Sequence, residues 1–294
     1  MIPKIETFKR IEADFGCNPI LPEKEYFLMQ VIKRLTENLS FSEGRLVFGG
    51  GTSLARAYKV MKRFSEDGDF RFVPNALLAS TKQIRKKLTN FIESLDGFEL
   101  SEKPENDSSK IKFKLDYAKH SEFTKSSALR PYIQVEIFFS DALRYPVERK
   151  AISSLYNEYE GLEPETELDC VAMEETAIDK ISSLLWRIGS DDDYHPADMR
   201  HLHDLAILSD KLTIDEKFIQ TLTAVHNKDM KNRTKDSKDL RQNIEDTVAV
   251  LSNRKSYNTD YKNYVMAMSY APDSENLSFE QALAKFDYIA KRLV

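Results

Sequence analysis

The residues best suited to chemistry lie between Val47 and Val73, VFGGGTSLARAYKVMKRFSEDGDFRFV. Asp67 and Asp69 stand one residue apart in a stretch that alternates as a strand. Asp67, Asp69 and Arg71 point to one face and Phe70 and Phe72 to the other. Side chains at i and i+2 of a strand share a face, with Cα atoms about 6.5–7 Å apart, so the two carboxylates can grip the same metal pair. Hard cations take carboxylate oxygens, and magnesium commonly adds substrate phosphates to its shell. Two such ions about 3.5–4 Å apart clamp the attacking and leaving oxygens of a phosphoryl transfer. Glu136, in the alternating segment YIQVEIFFS, lies on the polar face opposite Ile133, Val135 and Ile137 and is the candidate third carboxylate. The plain alternative is a solvated acidic sheet face. The apolar partners Phe70 and Phe72 and the glycines just upstream weigh against it.

Those glycines close a short apolar run, RLVF, at Gly49, Gly50 and Gly51. Glycine reaches positive φ and lets backbone N–H groups approach a ligand. The helix that follows adds unpaired donors and a dipole that favours phosphate. Thr52 or Ser53 can cap that helix or offer a hydroxyl, and its apolar positions are Leu54, Ala55, Tyr58 and Met61. The turn is not a P-loop, because no Gly-Lys-Ser/Thr follows, and it is not GxGxxG. Glycines for a phosphate tail and carboxylates for its cation together point to a nucleotide-handling enzyme.

These groups need elements to hold them. Residues 23–38 carry Phe27, Leu28, Val31, Ile32 and Leu35 at helical spacing, and residues 77–95 read as a helix with a basic face including Lys82, Arg85, Lys86 and Lys87. The segment SKIKFKLDY sets Ile111, Phe113, Leu115 and Tyr117 against Lys110, Lys112 and Lys114, and residues 118–130 connect it to the Glu136 strand. From Met173 onward the pattern is helical. Ile178, Ile181, Leu184, Leu185 and Ile188 form one stripe that Gly189 and Asp191–Asp193 end; Pro196 starts another, and Ser278 with Gln281 forms a capping box for the last helix. An α+β half followed by a helical half is therefore expected, with the boundary near residues 145–170.

At 294 residues, with 41% hydrophobic and 31% charged, the chain suits one large domain or two ordinary ones. A net charge of −5 argues against indiscriminate nucleic-acid binding, although it leaves room for a local basic groove. Cys17 and Cys170 are far apart and form no CxxC, so a reduced, cytoplasmic protein without a zinc site is expected. The charged start of the chain lacks the apolar core of a signal peptide, and no apolar run approaches the length of a membrane span. His201 and His203 are two apart and cannot share a helical face, which disfavours a transition-metal site with His195 and Asp204. The run KDMKNRTKDSKDLR at 228–241 reads as a solvated segment or, alternatively, an RNA-backbone contact.

The order Gly50-Gly51-Thr52-Ser53-Leu54, then Arg63-Phe64-Ser65-Glu66-Asp67-Gly68-Asp69-Phe70, resembles the AbiEii-type nucleotidyltransferases of the polymerase-β-like superfamily. Lys180-Ile181-Ser182-Ser183-Leu184 and Arg200-His201-Leu202-His203-Asp204-Leu205 occupy the places of that family's lysine-bearing helix and its Arg-Asp-x-x-Asp-Leu-like segment. The resemblance covers about residues 45–210. The chain departs from the pattern in two places: His201 replaces the first acidic residue after the arginine, and Glu136 stands where the superfamily usually has aspartate.

The resemblance implies a nucleotidyltransferase domain with a mixed or antiparallel sheet over residues 1–160 and a helical domain over 161–294 closing the active-site cleft. Asp67 and Asp69, with Glu136, would hold Mg2+. Gly50, Gly51, Thr52, Ser53 and Ser65 would line the triphosphate site. Lys180 would contact the nucleotide phosphates, and Asp204 would orient a catalytic group or serve as a base; helical spacing puts Arg187, seven residues on, on the same side of the helix as Lys180, where it could join the cofactor-binding residues. The implied reaction moves NMP from an NTP to an acceptor hydroxyl, RNA and in particular the tRNA acceptor end, by a toxin with a cognate antitoxin. Two other readings stay open: a protein or small-molecule acceptor on the same fold, and a non-catalytic nucleotide-binding module.

Overall fold

A computed structural model describes residues 3–76, 80–120, 129–139, 143–188, 194–232 and 239–294. The chain forms two compact units, Met1–Ala172 and Met173–Val294. The expected end of the helical helix stripe at Gly189 and Asp191–Asp193, and the middle of the 118–130 connection and of the 228–241 charge run, lie outside the described residues.

The first unit runs Ile5–Phe15 (α1), Ile20–Asn38 (α2), Gly44–Gly49 (β1), Gly50–Arg56 (α3), Asp67–Pro74 (β2) and Lys82–Glu93 (α4). It continues with Phe98–Leu100 (β3), Glu105–Asn106 (β4), Lys110–Tyr117 (β5), Ile133–Phe139 (β6), Glu148–Ile152 (β7), Leu155–Tyr159 (α5) and Thr166–Cys170 (β8). The strands make one mixed sheet in the order β3-β5-β6-β2-β1-β8-β7, with β4 added beside β5. The β2–β6 and β1–β8 pairs are parallel and the other pairs antiparallel. Residues 161–172, assigned from sequence to the helical part, belong to the first unit because β8 pairs with both β7 and β1.

Alternation decides which side of the sheet is dry. Phe70 and Phe72 on β2, Ile111, Phe113 and Leu115 on β5, and Ile133, Val135 and Ile137 on β6 are buried together. They pack with Leu28, Val31, Ile32 and Leu35 of α2 and with Ile84, Leu88 and Ile92 of α4. Full burial of each such side chain contributes roughly 1.5–3 kcal/mol. Gly68 lies on this same side, where a Cβ would press to 3.2 Å from Leu28, so its bareness lets α2 seat on β2. The opposite side of the sheet keeps the charged residues.

Two local expectations are corrected. The helix after the glycines ends at Arg56, so Tyr58 and Met61 lie beyond it: Ala57 and Tyr58 both donate to the Ser53 carbonyl, and Lys59 turns to φ 54°. Arg85 is buried rather than part of a solvated basic face. Its guanidinium stacks 4.0 Å over Phe139 and donates to Asn106 and to the Lys110 and Ser108 carbonyls.

The second unit comprises Met173–Arg187 (α6), Met199–Leu208 (α7), Glu216–Asn232 (α8), Leu240–Asn253 (α9), Ser256–Tyr264 (α10) and Phe279–Leu293 (α11). Pro196–Asp198 forms a 3₁₀ turn before α7, and Ser278 and Gln281 form the expected capping box. Among the described residues no helix is long and apolar enough to cross a membrane. A buried polar chain ties α6, α8 and α9 together. Asn243 donates to His226 Nε2 (2.9 Å), His226 Nδ1 lies 3.5 Å from Ser182 Oγ, and Ser182 donates to Asp229 (2.7 Å). An accepting Nε2 requires the neutral ring with its proton on Nδ1.

Burial holds the His226 pKa below its usual value, with Asp229 opposing. Between the folded and unfolded pKa values the unfolded chain binds more protons, so stability rises with pH there. The second unit is therefore expected to keep this contribution above about pH 6.5 and to lose it on acidification, with a slope of at most about 1.4 kcal/mol per pH unit. Urea unfolding followed through Trp186, the sole tryptophan and part of α6, tests this. His226→Gln should flatten the profile between pH 7.5 and 5.5; an unchanged profile contradicts the assignment.

Candidate active site

The sheet's polar side is organised in cross-strand rows. Gly49 on β1 pairs with Asp69 on β2, Asp69 with Glu136 on β6, and Glu136 with Lys112 on β5. The next row runs Asp67, Gln134, Lys114. Adjacent strands are about 4.8 Å apart, so Asp69 has the glycine turn on one side and Glu136 on the other.

The turn is shaped around Asp69. Gly50 has φ 71°, a conformation that side chains disfavour, and a Cβ there would land on Asp69 Oδ2 and 2.8 Å from its Cγ. No other residue lets the β1–α3 corner lie this close to the carboxylate. Thr52 and Ser53 are buried inside the first turn of α3 rather than capping it, since Gly49 is the N-cap. Thr52 donates to the Asp67 carbonyl, fastening α3 to the start of β2, and Ser53 donates to the Gly50 carbonyl at 3.0 Å. Both hydroxyl protons are thus committed to the main chain, and the exposed donors of this corner are not the two hydroxyls proposed from sequence. Gly51 is buried beside them, and Ser65 is half-buried immediately ahead of β2. The far end of α3 is held by Arg56, which forms a buried ion pair with Glu25 of α2, while Glu25 also accepts the Leu155 N–H at 2.8 Å.

Asp67 faces Arg130, a residue that sequence reasoning passed over as part of a connection. Arg130 Nη2 is 2.8 Å from both carboxylate oxygens, donating to Oδ2, while Oδ1 is buried and accepts no hydrogen bond. Burial opposes the charge on Arg130, but Asp67 and Glu66 more than offset this and raise its pKa. No motif marks such an arginine; the only sequence signal is a cation at the mouth of the β5–β6 connection.

Glu136 is in register with Asp69 but its carboxylate is engaged elsewhere. Lys110 donates to Oε2 at 2.9 Å, Gln134 donates to Oε1 at 2.7 Å, and Lys112 lies 3.6 Å from Oε1. Among the described residues no three His, Cys, Asp or Glu side chains are gathered to hold a metal. The expected third ligand is therefore a partner of the β5 lysines, and its longer side chain leans toward β5. Asp67 and Asp69 do fit a hard divalent cation: they share one face, both supply oxygen, and Asp67 Oδ1 accepts no hydrogen bond although it lies in ion-pair contact with Arg130.

The remaining expected residues lie in the second unit. Lys180 and Asp204, on α6 and α7, form a nearly buried ion pair at 2.8 Å. Arg187 pairs with Asp198, lies 3.4 Å from His201 Nε2 and stacks 4.6 Å over Trp186. Burial, then the cations Lys180 and Arg187, hold the His201 pKa well below its usual value, so a neutral ring stands where the family pattern has an acid. His203 bonds Tyr261 at 2.7 Å rather than any metal partner. Cys17 and Cys170 are free, buried, and pushed by burial to about 12, which removes them as nucleophiles.

A family model for the nucleotidyl transferase AbiEii toxin, a type IV toxin–antitoxin system, matches residues 34–285. No curated protein matches the chain. Among solved structures, the MenT4 nucleotidyltransferase toxin of Mycobacterium tuberculosis H37Rv superposes with a TM-score of 0.62 at 19% identity, covering 98% of this chain and 88% of that one. An antigenic nucleotidyltransferase-like protein from Paracoccidioides brasiliensis aligns at 14% identity over 76% of this chain and 92% of its own, with a TM-score of 0.39, too low to bear on the fold.

Gly50→Ala tests the corner directly. It is expected to destabilise the first unit by at least about 1–2 kcal/mol through positive φ and overlap with Asp69, read as a lowered midpoint in chemical denaturation. A wild-type midpoint would show that the corner yields freely.

Proposed function

The chain belongs to the AbiEii nucleotidyltransferase toxin family and is a nucleotidyltransferase, and from that premise we propose that it transfers NMP from an NTP to an acceptor hydroxyl on RNA, specifically the acceptor end of tRNA, in a Mg2+-dependent reaction. Its cognate partner is an antitoxin, its role is growth arrest of the abortive-infection kind, and its compartment is the cytoplasm. The observation that carries the reading is the pair of same-face carboxylates, Asp67 and Asp69, beside a glycine corner in which Gly50 has no room for a side chain.

In the reaction, the acceptor hydroxyl oxygen attacks the α-phosphorus, a new P–O ester bond forms as the O–H bond breaks and its proton passes to water, the α–β P–O bond breaks, and pyrophosphate leaves with the electron pair. Magnesium held by Asp67 and Asp69 would neutralise the triphosphate and order the oxygens around the α-phosphorus. The chain's own contribution is positional. The main chain that carries both carboxylates is fixed by the β2 ladder and by Thr52, which donates to the Asp67 carbonyl, so it needs little reorganisation when substrate arrives. Gly50 and Gly51 bring backbone, not side chain, to the nucleotide. Lys180, its ammonium fixed by Asp204, is assigned to the nucleotide phosphates, and Arg187 and Ser65 to supporting positions. An RNA acceptor is favoured over a protein or small molecule by the lysine ladder Lys110, Lys112 and Lys114, which crosses the same sheet face as the carboxylates.

Asp67→Ala and Asp69→Ala are each expected to abolish transfer of label from α-labelled NTP to total RNA, at least 10²-fold, and to relieve growth inhibition. Undiminished labelling by both variants would defeat the proposal. Label in lysate protein but not RNA would move the acceptor, and NTP binding without turnover would favour a non-catalytic module.

A further inference from the structure

Arg130 belongs to no motif, yet it is built into place. Its backbone N–H donates to Glu66 Oε1 at 3.0 Å and its carbonyl accepts from Lys24 Nζ at 2.8 Å. Lys24 and Glu66 are themselves a buried ion pair at 2.7 Å. The main chain of this one residue is thus clamped on both sides by the pair that links α2 to the segment entering β2. The side chain is thereby aimed at Asp67, with Nη2 equidistant from its two oxygens at 2.8 Å, and with Glu66 Oε2 a further contact at 3.6 Å.

A cation centred between both oxygens of a carboxylate takes the place where a divalent ion would bind. Magnesium needs its oxygens at about 2.0–2.1 Å, and a guanidinium and a divalent ion cannot share Asp67 without direct charge repulsion. We infer that Arg130 is a resident stand-in for the metal: it holds Asp67 in the ligand-free protein, yields it when metal and nucleotide arrive together, and then turns its guanidinium to the nucleotide's phosphates. This rests on the metal-dependent reading above. The clamp confines the exchange to the side chain, because Glu66 and Lys24 hold the backbone whichever anion the guanidinium meets. Five N–H donors in a planar fork suit a phosphate as well as they suit Asp67. Lone metal is then a poor ligand and the metal–nucleotide complex a good one, because only the complex brings a replacement anion for Arg130.

The full-length protein titrated with Mn2+, with the free ion followed by its EPR signal, tests this with and without a non-hydrolysable NTP analogue. Without nucleotide, Arg130→Gln should bind Mn2+ about fivefold more tightly than wild type, since a competing cation is gone. With Mn2+ saturating, it should bind the analogue about tenfold more weakly. Arg130→Lys should keep wild-type metal affinity. In wild type, the Arg130 side-chain NMR signal should move when Mg2+ and analogue are added together, which needs no variant to fold. Equal or weaker Mn2+ binding by folded Arg130→Gln, or an unmoved arginine signal at saturation, overturns the inference and leaves nucleotidyl transfer standing. No Mn2+ uptake by either protein with the analogue present overturns the metal reading and this inference together.

Discussion

The close approach of Gly50 to Asp69 is the constraint from which the rest of the first unit follows. A carboxylate on β2 and the corner leaving β1 occupy space that no side chain at residue 50 could share. That contact fixes where α3 begins, and the Thr52 bond to the Asp67 carbonyl then fixes its direction. With α3 set, Arg56 reaches Glu25 and ties the short helix to α2. Because α2 covers the dry side of the sheet and α3 borders the polar side, this one chain of contacts couples core packing to the geometry of the carboxylates.

Three consecutive residues of α2 show how much of that coupling is electrostatic. Glu23, Lys24 and Glu25 are all buried, and each reaches a different segment. Glu23 accepts from the His120 backbone and meets its ring at 2.5 Å, Lys24 joins Glu66 and the Arg130 carbonyl, and Glu25 joins Arg56 and the Leu155 N–H. Burial raises the Glu25 pKa and lowers that of Lys24, against the pull of their partners. Such pairs add little net stability over a well-packed apolar contact, but removing one partner strands the other and costs about 3–5 kcal/mol. Their effect here is to specify which segment each turn of α2 may touch.

The alternation of DGDFRFV and of IKFKLDY made β2 and β5 legible, because one dry face forces a period of two that composition cannot hide. The glycine corner and the paired aspartates were legible for the same reason: their chemistry is local. What the sequence concealed is non-local. An EKE triplet at a helix start reads as solvated, and only the tertiary partners reveal its burial. The same is true of Arg85, which stacks on Phe139. The short span of α3 depends on Lys59 adopting positive φ, a choice no propensity favours. Glu136 was legible as a polar-face residue of its strand, but its register with Asp69 was not, and its carboxylate belongs to Lys110 and Gln134 because cross-strand neighbours compete for it. Arg130 needed the clamp of Lys24 and Glu66 to be recognised at all.

The polar side of the sheet is balanced by exchangeable pairs. Asp67 is matched by Arg130, Glu136 by Lys110, and Lys112 and Lys114 by Glu105 and Glu102. A face assembled only from like charges would destabilise the sheet, since like charges directly opposite repel. A face of unmatched opposite charges would be too costly to desolvate. Paired charges at half-exposed positions resolve both difficulties: each pair is weak enough in water to open, and each presents a cation to an incoming phosphate once its carboxylate is taken by something else. Lys112 and Lys114 of β5 stand in the rows of Asp69 and Asp67 with β6 between, so opening the Lys112–Glu136 contact frees a cation two strands from Asp69.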